Sequence, residues 1–416
     1  MVVSVIGLGY IGLPTAAILA SNDIRVFGID SNNKVVDSIN RGQVHIVEPH
    51  LDSLVQKVVS KGNLRAFNKP QSADVFMIAV PTPFKNEYEP DLSYVKSAVK
   101  EISHVIEKGN MIILESTVPI GATENIKKWL LKQRPDLSFP ANGKDINISD
   151  INIAHCPERV LPGDVLNELV NNDRIIGGLT VHCSERAKNF YQSFIQGDCI
   201  VTDCRTAELS KLVENSYRDV NIAFANEMSI ICDKLDINVW ELIKLANCHP
   251  RVNILQPGPG VGGHCIAVDP WFIIDSAPDQ ARLIHTARKV NDSKPHFVLE
   301  KINQAVDAIG RGKSALRIAC LGLAYKPDIG DLRESPALQI AQQIESMGFA
   351  KLIMVEPNIN EVPRCFDTNN CELSTLSEAI TVSDIVVLLV DHSSFKKIDH
   401  SLLSGKQVID TRGIWA

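Results

Sequence analysis

Several broad classes are excluded by what this chain lacks. Its ten cysteines are scattered through 416 residues without a CxxC pair or zinc-like Cys/His spacing. Neither a metal site nor a disulfide framework is therefore expected. Basic residues are not in excess: 42 Lys and Arg against 49 Asp and Glu give a formal net charge of −7. That balance counts against nucleic acid or an anionic membrane as partner. There is no low-complexity tract and no segment that reads as a membrane span. The apolar start "MVVSVIGLGYIG" has no basic stretch or small-residue cleavage site and runs straight into a glycine motif. A signal peptide is not expected, and the expected compartment is the cytoplasm.

At this length a single core is outgrown, so two or three domains are expected. Short β-branched runs at 2–6, 24–30, 74–80, 110–116, 151–155, 174–177 and 199–202 alternate with helical stretches, predicting a largely parallel sheet. From about Thr206 some thirty residues run without Gly or Pro, which predicts one long helix. A glycine-rich loop follows, then more helix over 278–309. "GRGK" (310–313) reads as a hinge, after which strands are expected at 317–325, 351–357, 384–391 and 407–410. The fold class is α/β: two Rossmann-like doubly wound domains, 1–203 and 310–416, joined by a helical domain over 204–309.

The motifs fall at predicted strand ends. "VIGLGYIG" sets Gly7, Gly9 and Gly12 in GxGxxG spacing between a strand and a helix. There the backbone can approach a pyrophosphate, and the helix N-terminus stabilises it. "RVFGID" places Asp30 at the end of the next strand, where a carboxylate bonds a ribose diol and repels a 2′-phosphate, favouring NAD over NADP. Thr82 in "AVPTP" and Thr117 in "ESTVPIG" are positioned to reach a cofactor or a reacting hydroxyl; capping threonines are the plain alternative. Glu158 in "CPERVLPG" is a candidate general base, against a turn glutamate paired with Arg159. Lys211 and Asn215 share a helix face and suit an oxyanion cradle, although helix lysines commonly just face solvent.

"ILQPGPGVGGHCIAVDP" (254–270) puts four glycines and three prolines around Cys265, with Asp269 four residues on. So flexible a backbone suggests a ligand approaching the main chain closely. A nicotinamide cofactor with an activated thiol suggests oxidation through an aldehyde, held as thiohemiacetal and then thioester; inert packing is the alternative. In "GLAYKPDIGDLRESPA" (322–337), Lys326 and Arg333 suit a phosphate, or ion pairing with Asp328, Asp331 and Glu334.

In combination, the Rossmann start, "PTP", "EST.P.G", "PER", "AE..K...N", "GxGxGGxCxxxD" and "YKPD..D.RESPA" resemble the UDP-glucose/GDP-mannose dehydrogenase family across essentially the whole chain. The resemblance implies a four-electron oxidation of a sugar CH₂OH to a carboxylate with two NAD⁺. It implies Cys265 as nucleophile, Lys211 and Asn215 as oxyanion stabilisers, Asp269 and Thr117 in proton transfer, and Glu158 activating water for thioester hydrolysis. Gly7, Gly9, Tyr10, Ile11, Gly12, Asp30, Thr82, Thr117 and Arg333 are implied in cofactor binding. Glu158, Arg159, Val160, Lys211, Asn215, Arg251, Gly262 and Lys326 are implied in binding a UDP-sugar. Family members pair through the long helix, so a homodimer or higher even oligomer is expected.

UDP-glucose enzymes usually have glutamate where this chain has Pro162, and lysine where it has Val268. "HIVEPHL", "NDRIIGG" and "HPRVNILQPGPGVGGHC" are similar to the branch that oxidises UDP-N-acetyl-D-mannosamine for bacterial surface polysaccharide. The same chemistry on UDP-N-acetylglucosamine or UDP-glucose is the alternative. More distant ones are a two-electron hydroxyacid dehydrogenase and a non-enzymatic NAD-binding protein.

Overall fold

The computed structural model describes residues 1–86, 88–141, 149–160 and 163–415; Pro162 lies outside them. The chain divides into two compact units: Met1–Glu214 with Trp271–Ala277, and Asn215–Pro270 with Pro278–Ala416. The division falls inside a continuous helix, Cys204–Lys234.

In the first unit the strands are β1 (Val2–Ile6), β2 (Arg25–Ile29), β3 (Leu64–Phe67) and β4 (Val75–Ile78), then a short hairpin of β5 (Phe84–Lys85) and β6 (Glu89–Pro90). They continue as β7 (Met111–Leu114), β8 (Asn152–His155), β9 (Arg174–Gly178) and β10 (Cys199–Asp203). Eight of them form one sheet in the order β10-β9-β8-β7-β4-β1-β2-β3. β4, β7 and β8 are buried at every residue, as expected of parallel strands with both faces covered. The order reverses between β1 and β4, and the carboxyl ends of strands flanking such a switch point make a ligand crevice. Two features differ from the sequence reading. β3, with the pattern LRAF, was not expected, and β8 pairs with β9 antiparallel.

The second unit carries β11 (Arg317–Leu321), β12 (Lys351–Val355), β13 (Cys371–Leu373), β14 (Ile385–Leu388) and β15 (Gln407–Asp410) in the parallel order β13-β12-β11-β14-β15. The three-residue β13 was also unexpected. The helix foreseen over 278–309 spans Arg282–Ile309 and is capped by Gly310, whose φ of 71° closes it. The expected hinge is thus a capped turn followed by a 3₁₀ segment, Lys313–Ala315.

The two sheets open with the same turn. "IGLGY" (6–10) follows β1 and "LGLAY" (321–325) follows β11. Gly7 has φ +93° and its N–H donates to Ile29 O at 2.8 Å; Gly322 has φ +90° and donates to Val355 O at 2.8 Å. Beyond the turn they diverge. Ala324 replaces the second glycine and is fully buried. Glu356, at the end of β12, has its carboxylate entirely enclosed. It accepts the N–H groups of Leu323 (2.8 Å) and Ala324 (3.0 Å) and lies 3.0 Å from His392 Nε2. Because His392 Nδ1 accepts from Asp328 N, Nε2 carries the proton and donates to Glu356.

Candidate functional site

In the first unit the dinucleotide motif takes the conformation its spacing predicts. A Cβ on Gly7 would lie 2.5 Å from Ala79 O, and one on Gly12 would lie 1.8 Å from Gly7 O. Those two glycines make the turn tight enough to pass close to Ala79, just beyond β4, before the helix Gly12–Ser21 begins. Around Gly9 there is open space, which is what close approach of a pyrophosphate requires. Tyr10 is exposed and Ile11 half-buried at the mouth of this turn. Asp30 accepts from Leu8 N (3.1 Å) and Asn32 N (2.8 Å), which fixes its carboxylate at the end of β2. These residues fit NAD. After β4 and β7, Thr82 Oγ1 donates to Thr117 O at 2.6 Å, tying the two expected cofactor loops together.

Glu158, just beyond β8, is buried and does not pair with Arg159. Arg159 bonds Glu214 instead, at 2.7 Å. Among the described residues Glu158 Oε1 has no hydrogen-bonding partner. Burial pushes its carboxyl up to about 7, against the opposing pull of the Lys211 ammonium and the Arg174 guanidinium. A group titrating there can switch between carboxylate and acid near neutral pH, as a general base must. Lys211 is itself buried on the long helix, so the solvent-facing alternative does not hold. Val160 packs on the edge of the core.

The second unit explains the glycine loop. A Cβ on Gly262 would lie 2.3 Å from Glu334 O, one on Gly263 2.8 Å from the Tyr325 ring, one on Gly260 2.8 Å from Pro336, and one on Gly258 2.5 Å from the Arg412 guanidinium. Gly260, Gly262 and Gly263 are demanded by protein atoms of the 322–337 loop, whereas at Gly258 a Cβ would meet only the end of the flexible Arg412 side chain. These contacts give the glycines a packing reason beside the expected approach of a ligand. A polar chain also anchors the loop: Asn291 Nδ2 donates to Asp219 Oδ1 (2.8 Å), Asn226 Nδ2 donates to Asn291 Oδ1 (2.9 Å), and Gly258 N donates to Asn226 Oδ1 (2.9 Å). Fixed in this way, the loop leaves Cys265 exposed. Cys265 O accepts from Asp269 N at 2.9 Å, and Asp269 opens the helix Asp269–Ser276. Asn215 Nδ2 donates to Asp269 Oδ2 at 2.5 Å, so its amide is held by that carboxylate.

Lys326 and Arg251 are exposed, and Arg251 N donates to His249 Nδ1 at 3.3 Å. Arg333 is also exposed and forms a two-pronged pair with Asp331, at 2.8 and 2.6 Å, one of the ion pairs its neighbours suggested. Sequence reasoning missed Asn226, Arg412 and the buried pair Glu115–Arg174. Their only signal is a charged or polar residue inside an otherwise apolar pattern. Among the described residues no cluster of metal-ligating side chains occurs, and no helix is long and apolar enough to cross a membrane.

The sequence matches family models for the NAD binding domain (residues 1–195), central domain (205–293) and UDP binding domain (319–416) of the UDP-glucose/GDP-mannose dehydrogenase family. It is 57% identical over 415 residues to an NDP-N-acetyl-D-galactosaminuronic acid dehydrogenase of Ralstonia nicotianae, covering 100% of this chain and 96% of that one. It is 56% identical over 417 residues to the UDP-N-acetyl-D-mannosamine dehydrogenase of Escherichia coli, covering 99% of each. The solved structure of a UDP-D-ManNAc dehydrogenase from Pyrococcus horikoshii superposes with TM-score 0.89 at 36% identity, covering 100% of this chain and 96% of that one. The expected two-Rossmann architecture, the enzyme class and NAD as cofactor are borne out by these matches. The chain belongs to the UDP-glucose/GDP-mannose dehydrogenase family.

Proposed function

We propose that this enzyme oxidises C6 of UDP-N-acetyl-D-mannosamine to the carboxylate, passing through a thioester on Cys265 and supplying a uronic acid precursor for surface polysaccharide. NAD, when bound, supplies the acceptor for one hydride in each of two oxidations. The aldehyde left by the first oxidation takes up the Cys265 thiol as a C–S bond. Loss of the second hydride from that adduct leaves the thioester. Water then adds to the thioester carbon while Glu158 takes its proton; the C–S bond breaks, and the thiolate leaves with the carboxylate formed. Lys211 and Asn215 stabilise the oxyanions that form at the C6 oxygen, and Asp269, bonded to Asn215, and Thr117 assist proton transfer.

The observation that carries the four-electron reading is Glu158. A buried carboxyl with an oxygen unpartnered among the described residues, raised to about 7, is a base for water, which a two-electron alcohol dehydrogenase does not need. A second reading, UDP-N-acetyl-D-galactosamine as substrate, is favoured by the 57% identity to the Ralstonia protein. Turnover with NAD⁺ and the UDP-linked N-acetylmannosamine, N-acetylgalactosamine, N-acetylglucosamine and glucose, counting NADH per uronate, decides between them. Two NADH and the highest kcat/KM with the mannosamine sugar are expected. Preference for another sugar overturns the substrate, and one NADH per product overturns the thioester.

The enzyme works as a homodimer or higher even oligomer in this reading. Leu209, Val213, Tyr217, Phe224 and Ile231 expose apolar side chains along one face of the long helix, Tyr217 at 70%. The four- and seven-residue steps keep these side chains on a single stripe, which a second copy of the same helix would cover. Tyr217→Glu with Phe224→Glu is expected to halve the mass in sedimentation equilibrium. An unchanged mass would remove this stripe from the interface.

A further inference from the structure

Beneath Glu158 lies a buried charge cluster to which the reaction as described gives no part. Arg174 opens β9 and Glu115 follows β7; both are buried, with Arg174 Nη1 3.5 Å from Glu115 Oε1. The guanidinium stacks over the Tyr191 ring, its central carbon 5.1 Å from the centroid. Arg174 Nη1 also donates to Pro157 O at 3.3 Å, the carbonyl immediately before Glu158. Glu115 is bounded further by Thr15 Oγ1 and Tyr191 OH, each at 3.5 Å.

A buried ion pair costs desolvation free energy, and its replacement by apolar residues is often neutral or stabilising. Stability alone is therefore a weak reason for this one. Its place is informative: the cation grips the peptide that aims Glu158, and among the described residues no salt bridge to that carboxylate quenches it.

We propose that Arg174 is a positioning residue for the hydrolytic step, fixing the Pro157–Glu158 peptide and, balanced by Glu115, setting the pH at which Glu158 becomes a base. This rests on the reading of Glu158 as the base that activates water. The charges acting on Glu158 come from three elements: Lys211 on the long helix and Arg174 on β9, which both favour the carboxylate, and Glu115 after β7, which opposes it. With burial they leave the group at about 7. Removing the cation must raise that value, and removing the Glu115 charge must lower it.

The test is single-turnover uronate release as a function of pH in the full-length enzyme with NAD⁺ and its preferred sugar. Arg174→Met should move the acidic limb up by about one pH unit and lower the rate on that limb about tenfold. Glu115→Gln should move the limb down, and Arg174→Lys should restore the wild-type position. Should Arg174→Met not fold, Glu115→Gln still decides, because a merely structural change does not lower the limb. Rates that fall equally at every pH, with the limb fixed, overturn the proposal. Glu158→Gln separates the two layers. A limb that survives in this variant overturns the base itself, whereas a limb that vanishes while Arg174→Met and Glu115→Gln leave theirs in place overturns only the role of Arg174.

Discussion

Cys265→Ala is expected to abolish uronate formation, lowering kcat on the order of 10⁴-fold or more, while NAD⁺ binding by the enzyme is unchanged. No other side chain of the glycine loop is a thiol. The four glycines meet the 322–337 loop and Arg412, and Asn226 bonds Gly258 N, so the loop is a fixed mount that leaves an exposed thiol. An alanine fits that mount without strain, so the loss would be chemical rather than structural. Uronate yield in a coupled assay and NAD⁺ affinity by fluorescence titration check it. Full uronate formation by the alanine variant would end the covalent reading, and equal loss of NAD⁺ binding would make the effect a folding defect.

Asp219→Ala is expected to destabilise the second unit by about 3 kcal/mol. Arg288 is 2% exposed and its Nη1 lies 2.6 Å from Asp219 Oδ1. Asp292 also bonds Arg288, from a half-exposed position, and does not replace a buried counter-charge. The same aspartate accepts from Asn291 at the head of the chain that ends on Gly258 N. Denaturant unfolding followed by tryptophan fluorescence should show an earlier midpoint for the transition of this unit. A double variant, Asp219→Asn with Arg288→Met, should recover part of the loss because no buried charge is stranded. An unshifted midpoint in Asp219→Ala would show that Asp292 alone neutralises the guanidinium.

Most of the fold was legible because parallel strands leave a strong mark. "MIIL" and the "VFMI" of β4 are buried on both faces and stand out as apolar runs. β3 and β13 were not legible for the opposite reason: LRAF and CEL are short and interrupted by charge, and pairing with β2 and β12 makes them strands. The direction of β9 against β8 is likewise a tertiary outcome.

At the site, motifs at strand ends marked Gly7, Asp30, Thr82 and Glu158, because position in a doubly wound sheet carries chemical meaning. The glycine loop was legible only in part, since a glycine needed for loop-to-loop packing looks the same in sequence as one needed by a ligand. Arg174 and Glu115 were hidden because they meet across the sheet, and no local spacing records such a meeting.

The paired turns after β1 and β11 bear on the order of events in catalysis. Among the described residues, only the first turn keeps both an open second glycine and a carboxylate, that of Asp30, left part-buried beside its two backbone N–H donors. In the second, Ala324 fills the gap and Glu356 is committed to two backbone amides and His392. The described residues therefore offer one seat for a dinucleotide, and the four-electron reaction proposed above would need it twice. The reduced molecule must depart and a fresh one arrive while the half-oxidised sugar stays in place. On the proposed mechanism cofactor exchange is thus a step within the catalytic cycle, and the covalent tether to Cys265 would keep an aldehyde from escaping during that interval.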